Sequence, residues 1–459
     1  MATMDYILTV QSSSGTVTLT SSPFSIKQYH SRYEDAEVPT VSESCQIRVK
    51  DGAVAANLDE MRTLRKLLKQ AKDAQADANL GRVYLTFTET SGGTAWRSEI
   101  KSALGPWDQS AVNYPYWTGD TQFATLSWER ANYWEGSEAQ LSITNPNGTA
   151  NTSGLRVYNC NDGLSIDTSY YKHNYFDVAG TAIAGELPAP TRLEMTNLHT
   201  EVSGDYNLNM VWIGQNWTNP STFTHYYEFT GGTPTADADM GGGSFSYYGV
   251  NSGSETEIIA WTISGAQIAA AASKYYKFFI HTWAAAIQAP SQRYRIRIEY
   301  NNWPIWQSGY IAMDSAYGTS IRDLLAFKLP PWLNGLASLG ALDLTLRCYQ
   351  LSGVHKTINL DYMQLLPIDG FRYIQGVDQA GATTNERIVD DGIGRYTYAD
   401  DGAGADKQGY FATYGQPIHL YPGKDQRLYF LMHSNQINES SAKRKISVKL
   451  YYRPRRLSL

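Results

Sequence analysis

The sequence predicts a mainly β protein of several domains, and three observations predict it. Aromatic residues make up 13% of the 459, with 33 Tyr and 12 Trp, and such side chains suit the pleated, half-buried surface of strands. The 38 Gly fall in turn clusters that recur roughly every ten residues between runs of alternating polarity. One long segment departs clearly from that alternation for the period of an amphipathic helix. A domain holds about 100–200 residues, so this length implies roughly two to four. Apolar residues at 42% and charged residues at 18% support packed cores and exclude a disordered chain. Thirty-eight basic against 44 acidic side chains leave a net charge of −6, which lacks the basic footprint of a nucleic-acid binder.

The elements follow in order. Tyr6, Leu8 and Val10 alternate with polar residues, as do Val17 and Leu19 after a Ser-Gly turn, and then Cys45, Ile47 and Val49 before Asp51-Gly52. A helix is predicted over 57–75: Leu58, Met61, Leu64, Leu68 and Ala71 form one stripe, with Asn57 and Glu60 as a capping pair. Strands resume at Val83–Phe87, Trp96–Ile100 and Phe123–Trp128, giving a first domain at 1–135. A second strand-rich stretch, 136–195, ends at Pro188-Ala189-Pro190. Residues 196–369 hold most of the tryptophans among Gly, Ser and Asn turns, the pattern of a sandwich or jelly roll, with Ser320–Phe327 as a short helix. The final β segment, 370–459, ends in the basic residues Arg453, Arg455 and Arg456.

Cys45, Cys160 and Cys348 are far apart and form no Cys-x-x-Cys pair, so neither a zinc cluster nor a disulfide framework is expected. The first residues lack a basic segment followed by an apolar run, so no secretory signal is expected. The most apolar stretch, Ile268–Ile287, is interrupted by Lys274, Lys277 and His281 and is not read as a membrane span. Signatures of serine hydrolases, zinc proteases and nucleotide-binding loops are lacking, and the eight His have no ligand spacing. No catalytic, metal or cofactor-binding residue is therefore assigned, and an enzyme is not expected. The acidic series Asp390-Asp391-Gly392, Asp400-Asp401-Gly402 and Asp406 suits either calcium or hairpin turns, and turns are preferred. Asp237 and Asp239 before a glycine run are read as a loop.

Two features point to binding. Among Trp212, Trp217, Tyr226, Tyr227, Tyr247, Tyr248, Trp303, Trp306, Tyr310 and Trp332, most are expected in the core. The exception is the turn Asn301-Asn302-Trp303-Pro304-Ile305-Trp306, where exposed indoles would stack on sugar rings and Asn301 and Asn302 would fix hydroxyls. The basic helix face with Arg62, Arg65 and Lys69, together with the basic C-terminus, is a solvated face or, in an oligomer, meets acidic residues such as Glu34 and Asp35 of a neighbour.

The order of features resembles the distal tail protein family of long-tailed bacteriophages, the tail-tip or baseplate-hub ring. The helix-bearing N-terminal domain, the aromatic step Ala131-Asn132-Tyr133-Trp134-Glu135-Gly136 and the Asn145–Thr149 segment leading to Pro188-Ala189-Pro190 carry the resemblance. So do Asn385–Gly392 and Pro417–Gly423 before a last strand. The resemblance implies a ring-forming, sandwich-like N-terminal domain, a homo-hexameric ring, and a galectin-like sandwich split into 136–195 and 370–459. Residues 196–369 depart from it and are read as an inserted jelly roll similar to carbohydrate-binding modules. The implied partners are the tail tube protein, other hub and tip proteins and host surface polysaccharide, without membrane insertion, in a virion assembled in the bacterial cytoplasm. The alternatives are a free-standing carbohydrate- or receptor-binding protein and a polysaccharide-cleaving enzyme with binding modules.

Overall fold

A computed structural model describes residues 6–21, 24–32, 40–50, 54–77, 80–89, 93–104, 121–146, 148–149, 154–158, 174–198, 208–217, 226–236, 244–250, 253–284, 292–312, 318–350, 356–376, 386–394, 396–400, 406–407, 411–433 and 445–457. The chain forms two compact units. One comprises Met1–Ala139, Ala184–Pro188 and Arg453–Leu459, the other Gln140–Ile183 and Ala189–Tyr452.

In the N-terminal unit the strands lie in the order Gly15–Thr18, Tyr6–Ser12, Tyr84–Glu89, Trp96–Leu104, Thr121–Ala131, Thr40–Lys50 and Phe24–Arg32, with antiparallel neighbours. Trp96–Leu104 joins the two halves. Its first residues pair with Tyr84–Glu89, a bulge falls between Ile100 and Ser102, and the rest pairs with Thr121–Ala131. Such a bulge bends a strand and here curls the sheet around Val10, Leu19, Ile47, Leu85, Ile100 and Leu126. The helix, Val54–Ala76, lays Leu64, Leu67, Leu68 and Ala71 on that core. It begins three residues before the predicted start, so Asn57 lies inside its first turn. Trp134–Glu135 pairs with Arg455–Arg456, bringing the end of the chain back into this unit.

The second unit contains two stacked sandwiches. In the first, one sheet runs 148–149, Thr144–Asn145, Tyr175–Val178, Gln426–His433, Met210–Asn216, Gly370–Gly376, Phe411–Gly415. The other is built on Leu155–Tyr158, Lys445–Tyr452, Ala189–Asn197, Arg387–Asp391 and Tyr396–Asp400. Leu193, Met195, Val211, Ile213, Phe430 and Val448 fill the space between them. The sequence boundary before residue 196 therefore falls too early. Val211 and Ile213 belong to this core, and their strand pairs on both sides within this sheet. The last residues, 453–459, likewise leave this sandwich for the N-terminal unit.

The second sandwich has eight principal strands. Taken in chain order from Ser244–Val250 to Lys356–Ile368, the first, eighth, third and sixth form one sheet and the second, seventh, fourth and fifth the other. This is a jelly-roll order. Phe278, Ile280, Tyr294, Ile296, Leu344, Leu346 and Leu360 make its core. Gly318–Lys328 is one of these strands, hydrogen-bonded along Tyr275–Ala284, so the helix expected at Ser320–Phe327 does not form; pairing overrides local preference. The apolar stretch from Ile268 divides into the short helix Gly265–Ala271 and the strand Tyr275–Ala284. Among the described residues no helix is long and apolar enough to cross a membrane.

Candidate functional site

The aromatic turn singled out in the sequence is a hairpin. Gln292–Tyr300 turns at Asn301 and Asn302, with φ of 51° and 66°, into Trp303–Gln307. Two successive left-handed residues fit the twist of a tight hairpin, and Asn tolerates that conformation. Asn301, Asn302 and Trp303 are exposed, Trp303 to 77%, opposite Tyr300. Trp306 departs from expectation. A bulge at Ile305, opposite the step from Ile298 to Glu299, shifts the register so that Trp306 faces Ile298, with its ring 5.2 Å from Phe327 and packed on the jelly-roll core. The two indoles therefore do not form one exposed platform. Of the other aromatics, Trp212, Tyr227 and Tyr248 are buried, Trp217 and Tyr226 half-buried, and Tyr247, Tyr310 and Trp332 exposed.

Beside the hairpin, strands Glu255–Ser264, Ala341–Gln350 and Gln292–Tyr300 carry a ladder of opposite charges. Arg297 pairs with Glu255 at 2.5 Å, and Arg295 with the same carboxylate. Arg347 meets Glu257 at 2.6 Å and Glu299 at 3.0 Å. Tyr310 donates to Glu255 at 3.1 Å and stacks under Arg295. Burial pushes the Glu255 carboxyl up, but Arg295, Arg297 and the Tyr310 hydroxyl outweigh it and hold the group below the usual carboxylate range. A carboxyl so held is a poor proton donor near neutral pH.

The acidic turns are occupied by ion pairs and turn contacts. Asp390 faces Arg372 at 2.9 Å, Asp391 accepts from the Gly394 N–H at 2.7 Å, and Asp400 binds Arg387 at 2.6 Å, all around the hairpin Arg387–Asp391 and Tyr396–Asp400. Asp237, Asp239 and Asp401 lie outside the described residues. Among the described residues no three His, Cys, Asp or Glu are grouped to hold a metal.

On the N-terminal helix, Arg62 pairs with Asp59 at 3.1 Å in the open, and Arg65 and Lys69 are exposed. Their proposed counterparts Glu34 and Asp35 lie outside the described residues. The basic C-terminus departs from expectation, since it closes its own unit. Arg455 binds Glu135 at 2.6 Å and lies over the Tyr133 ring, and Arg456 lies over Trp96.

Burial pushes the Cys45 thiol up to about 12, with the Glu43 charge adding to it, and the Cys348 thiol likewise to about 12 by burial. The thiolate is the reactive form. With Cys160 replaced by Ser, the native protein is expected to show no reaction with a disulfide reagent near pH 8. Both remaining thiols then titrate on unfolding, followed by absorbance. A fast-reacting native thiol in that variant contradicts the burial of Cys45 or Cys348.

No protein-family model and no curated protein matches the chain. Among solved structures it is similar to SPP1 Dit, titled a paradigm of the hub adsorption apparatus in phages infecting Gram-positive bacteria, over 98% of this chain and 99% of that one, at 8% identity and a TM-score of 0.27. It is also similar to the infectious bursal virus protein of T=1 particles, over 70% of this chain and 78% of that one, at 7% identity and a TM-score of 0.19. A putative secreted protein from Parabacteroides distasonis aligns over 54% of this chain and 97% of its own, at 10% identity and a TM-score of 0.15. At these scores the likenesses carry no argument about what the chain does.

Proposed function

We propose that the chain is a structural subunit of a phage tail tip, a distal-tail or baseplate-hub ring protein. In this reading it joins the tail tube to host-facing tip proteins, and its jelly roll is a lectin-like module for host surface polysaccharide. The observation that carries the reading is the path of the chain. The N-terminal unit is closed by its own C-terminal strand, and residues 140–452, apart from the short return at 184–188, form a separate body inserted between its last long strand and that closing one. An insertion of this kind leaves the parent core intact, because its two ends lie close together. A ring subunit needs such a body, able to make heterologous contacts around a closed axis while carrying a second body along. The family pattern in the sequence runs through the same segments. The reading assigns geometry rather than catalysis, requires no cofactor, nucleic acid or membrane insertion, and places the protein in a virion assembled in the host cytoplasm.

Solution mass followed by negative-stain imaging tests it, and a six-fold ring with a central hole of tail-tube width is expected. A monomer that persists with neighbouring tail proteins present overturns the ring and leaves a free-standing binding protein. Release of reducing ends from a bound polysaccharide points to an enzyme instead. Arg62, Arg65 and Lys69 share a helical face at spacings of three and four. Replacing all three by Glu is expected to dissociate the ring while circular dichroism stays native. An intact ring in that variant removes this face from the subunit interface.

A further inference from the structure

Three connections of the jelly roll meet at one end. Glu255–Ser264 passes through the helix Gly265–Ala271 into Tyr275–Ala284, Gln292–Tyr300 turns at Asn301-Asn302, and Gly318–Lys328 passes through the short helix Pro331–Ser338 into Ala341–Gln350. The strand register confirms the common end, with Ser264 opposite Ala341, Tyr300 opposite Trp303 and Tyr275 opposite Lys328. The backbone there is tightly built. Ser264 and Gln267 cap the first helix reciprocally, and the Gly265 N–H donates to the Gly340 carbonyl at 3.1 Å. A side chain at Gly265 would bring its Cβ to 2.1 Å from the Leu336 carbonyl oxygen, so the two short helices touch through backbone. Ile268 and Leu333 are buried beneath them.

This end is aromatic and, apart from Lys274 and Lys328 beside Tyr275, where the Lys328 ammonium lies 5.3 Å from the ring centre, uncharged. Residues 259–273, 300–312 and 329–342 contain no Asp, Glu, Lys or Arg, in a chain of which 18% is charged. Beyond Trp303, the end exposes Trp332 and Tyr275, each to 53%, and Tyr300 to 39%. Asn301, Asn302, Asn334, Ser264 and Ser338 are exposed among them and supply neutral donors and acceptors. Arg295, Arg297 and Arg347 of the adjoining sheet are already answered by Glu255, Glu257 and Glu299.

We propose that this end of the jelly roll, with Trp303, Trp332 and Tyr275 as stacking faces, is a docking site for an uncharged polysaccharide. The proposal rests on the lectin-like reading of the module and names the site and the ligand class. Aromatic faces stack on the apolar faces of sugar rings, and amides and hydroxyls bind the hydroxyl groups. Around Trp303 and Trp332 a polyanion finds no counter-charge, so charge complementarity there selects a neutral chain. Trp306 belongs to the support, since it packs against Phe327 beneath this end.

The test uses the full-length protein in affinity electrophoresis, with soluble glucan, galactan or mannan in the gel and polygalacturonate in parallel. At least one neutral polysaccharide is expected to retard the protein equally at about 50 and about 500 mM salt, a range over which exposed ionic attraction is largely screened. Replacing Trp303 and Trp332 together by Ala is expected to weaken that binding about tenfold or more, with native circular dichroism. Tyr275→Ala is a milder second variant. Retardation by polygalacturonate alone, lost at high salt, overturns the neutral ligand. Neutral binding that survives the double substitution overturns the site and leaves the lectin reading standing. If no polysaccharide retards the protein, both fall, and a concentration-dependent mass abolished by the double substitution assigns this end to a protein contact.

Discussion

Glu43→Ala is expected to cost the N-terminal unit about 3–5 kcal/mol, the loss seen when one partner of a buried ion pair is removed. Glu43 sits in Thr40–Lys50 directly opposite Trp128, and its carboxylate meets Arg130 at 2.6 Å. The Trp128 indole N–H donates to the same group at 3.0 Å, and the Tyr29 hydroxyl donates to it as well. The side chains of Arg130 and Glu43 are only 4% and 1% exposed, so neither charge has water to fall back on. Removing the carboxylate strands the Arg130 guanidinium, which lies over the Trp134 ring 4.4 Å away, and takes an acceptor from two further donors. Glu43→Gln keeps an acceptor and is expected to cost less. The double replacement Glu43→Met with Arg130→Met is also expected to cost less than Glu43→Ala, because no isolated charge remains. Urea midpoints followed by circular dichroism order the three. A double variant worse than Glu43→Ala would mean that the pair contributes net stability beyond the cost of stranding its partner.

The alternation of Leu8 with Val10 and of Cys45 with Ile47, and the stripe Leu64, Leu68 and Ala71, were enough to read strands, helix and core, because each pattern is local and each face is buried. Exposed Trp303 was legible for the same reason, since two Asn in a row signal a tight hairpin. The direction of Trp306 departs from expectation because it depends on a one-residue bulge at Ile305 in its own strand, which only the pairing with Gln292–Tyr300 defines. The helix at Gly265 carries a Ser-x-x-Gln signature that sequence reading passed over. Other contacts have no local signal at all. His281 lies buried with its Nδ1 2.5 Å from Asp361, and Glu43 meets Arg130, across separations that only the sheet order closes. The boundary near 196 was misplaced for a related reason. Met210–Asn216 looks like any other aromatic strand, and only its partners assign it to the first sandwich.

Trp212→Ala is expected to cost about 3–5 kcal/mol as well, at the joint between the two sandwiches of the second unit. Val211 and Ile213 point into the first sandwich, so Trp212 between them faces outward, where its ring meets Phe279 of the jelly roll edge-on at 4.9 Å. Tyr175, Tyr429 and Leu431 from one side and Leu366 from the other complete the cluster. A Cβ on Gly214 would lie 2.3 Å from the indole, so the absence of a side chain there makes room for the ring. Next to this cluster the Asn174 and Gln364 amides bond reciprocally at 3.1 and 3.2 Å. Phe279→Ala is expected to cost a similar amount, and the two losses should fall short of additive because they remove one shared contact. Denaturation followed by near-ultraviolet circular dichroism checks this. A single transition in the parent protein is expected to split in Trp212→Ala, with each sandwich keeping its own core but losing the other's support. Strictly additive losses, or a transition that stays single, would mean that the sandwiches are joined elsewhere. The joint matters to the proposed function because it fixes the direction in which the jelly roll presents its aromatic end. A loosened joint should leave polysaccharide affinity at that end unchanged while lowering the stability and the cooperativity of unfolding.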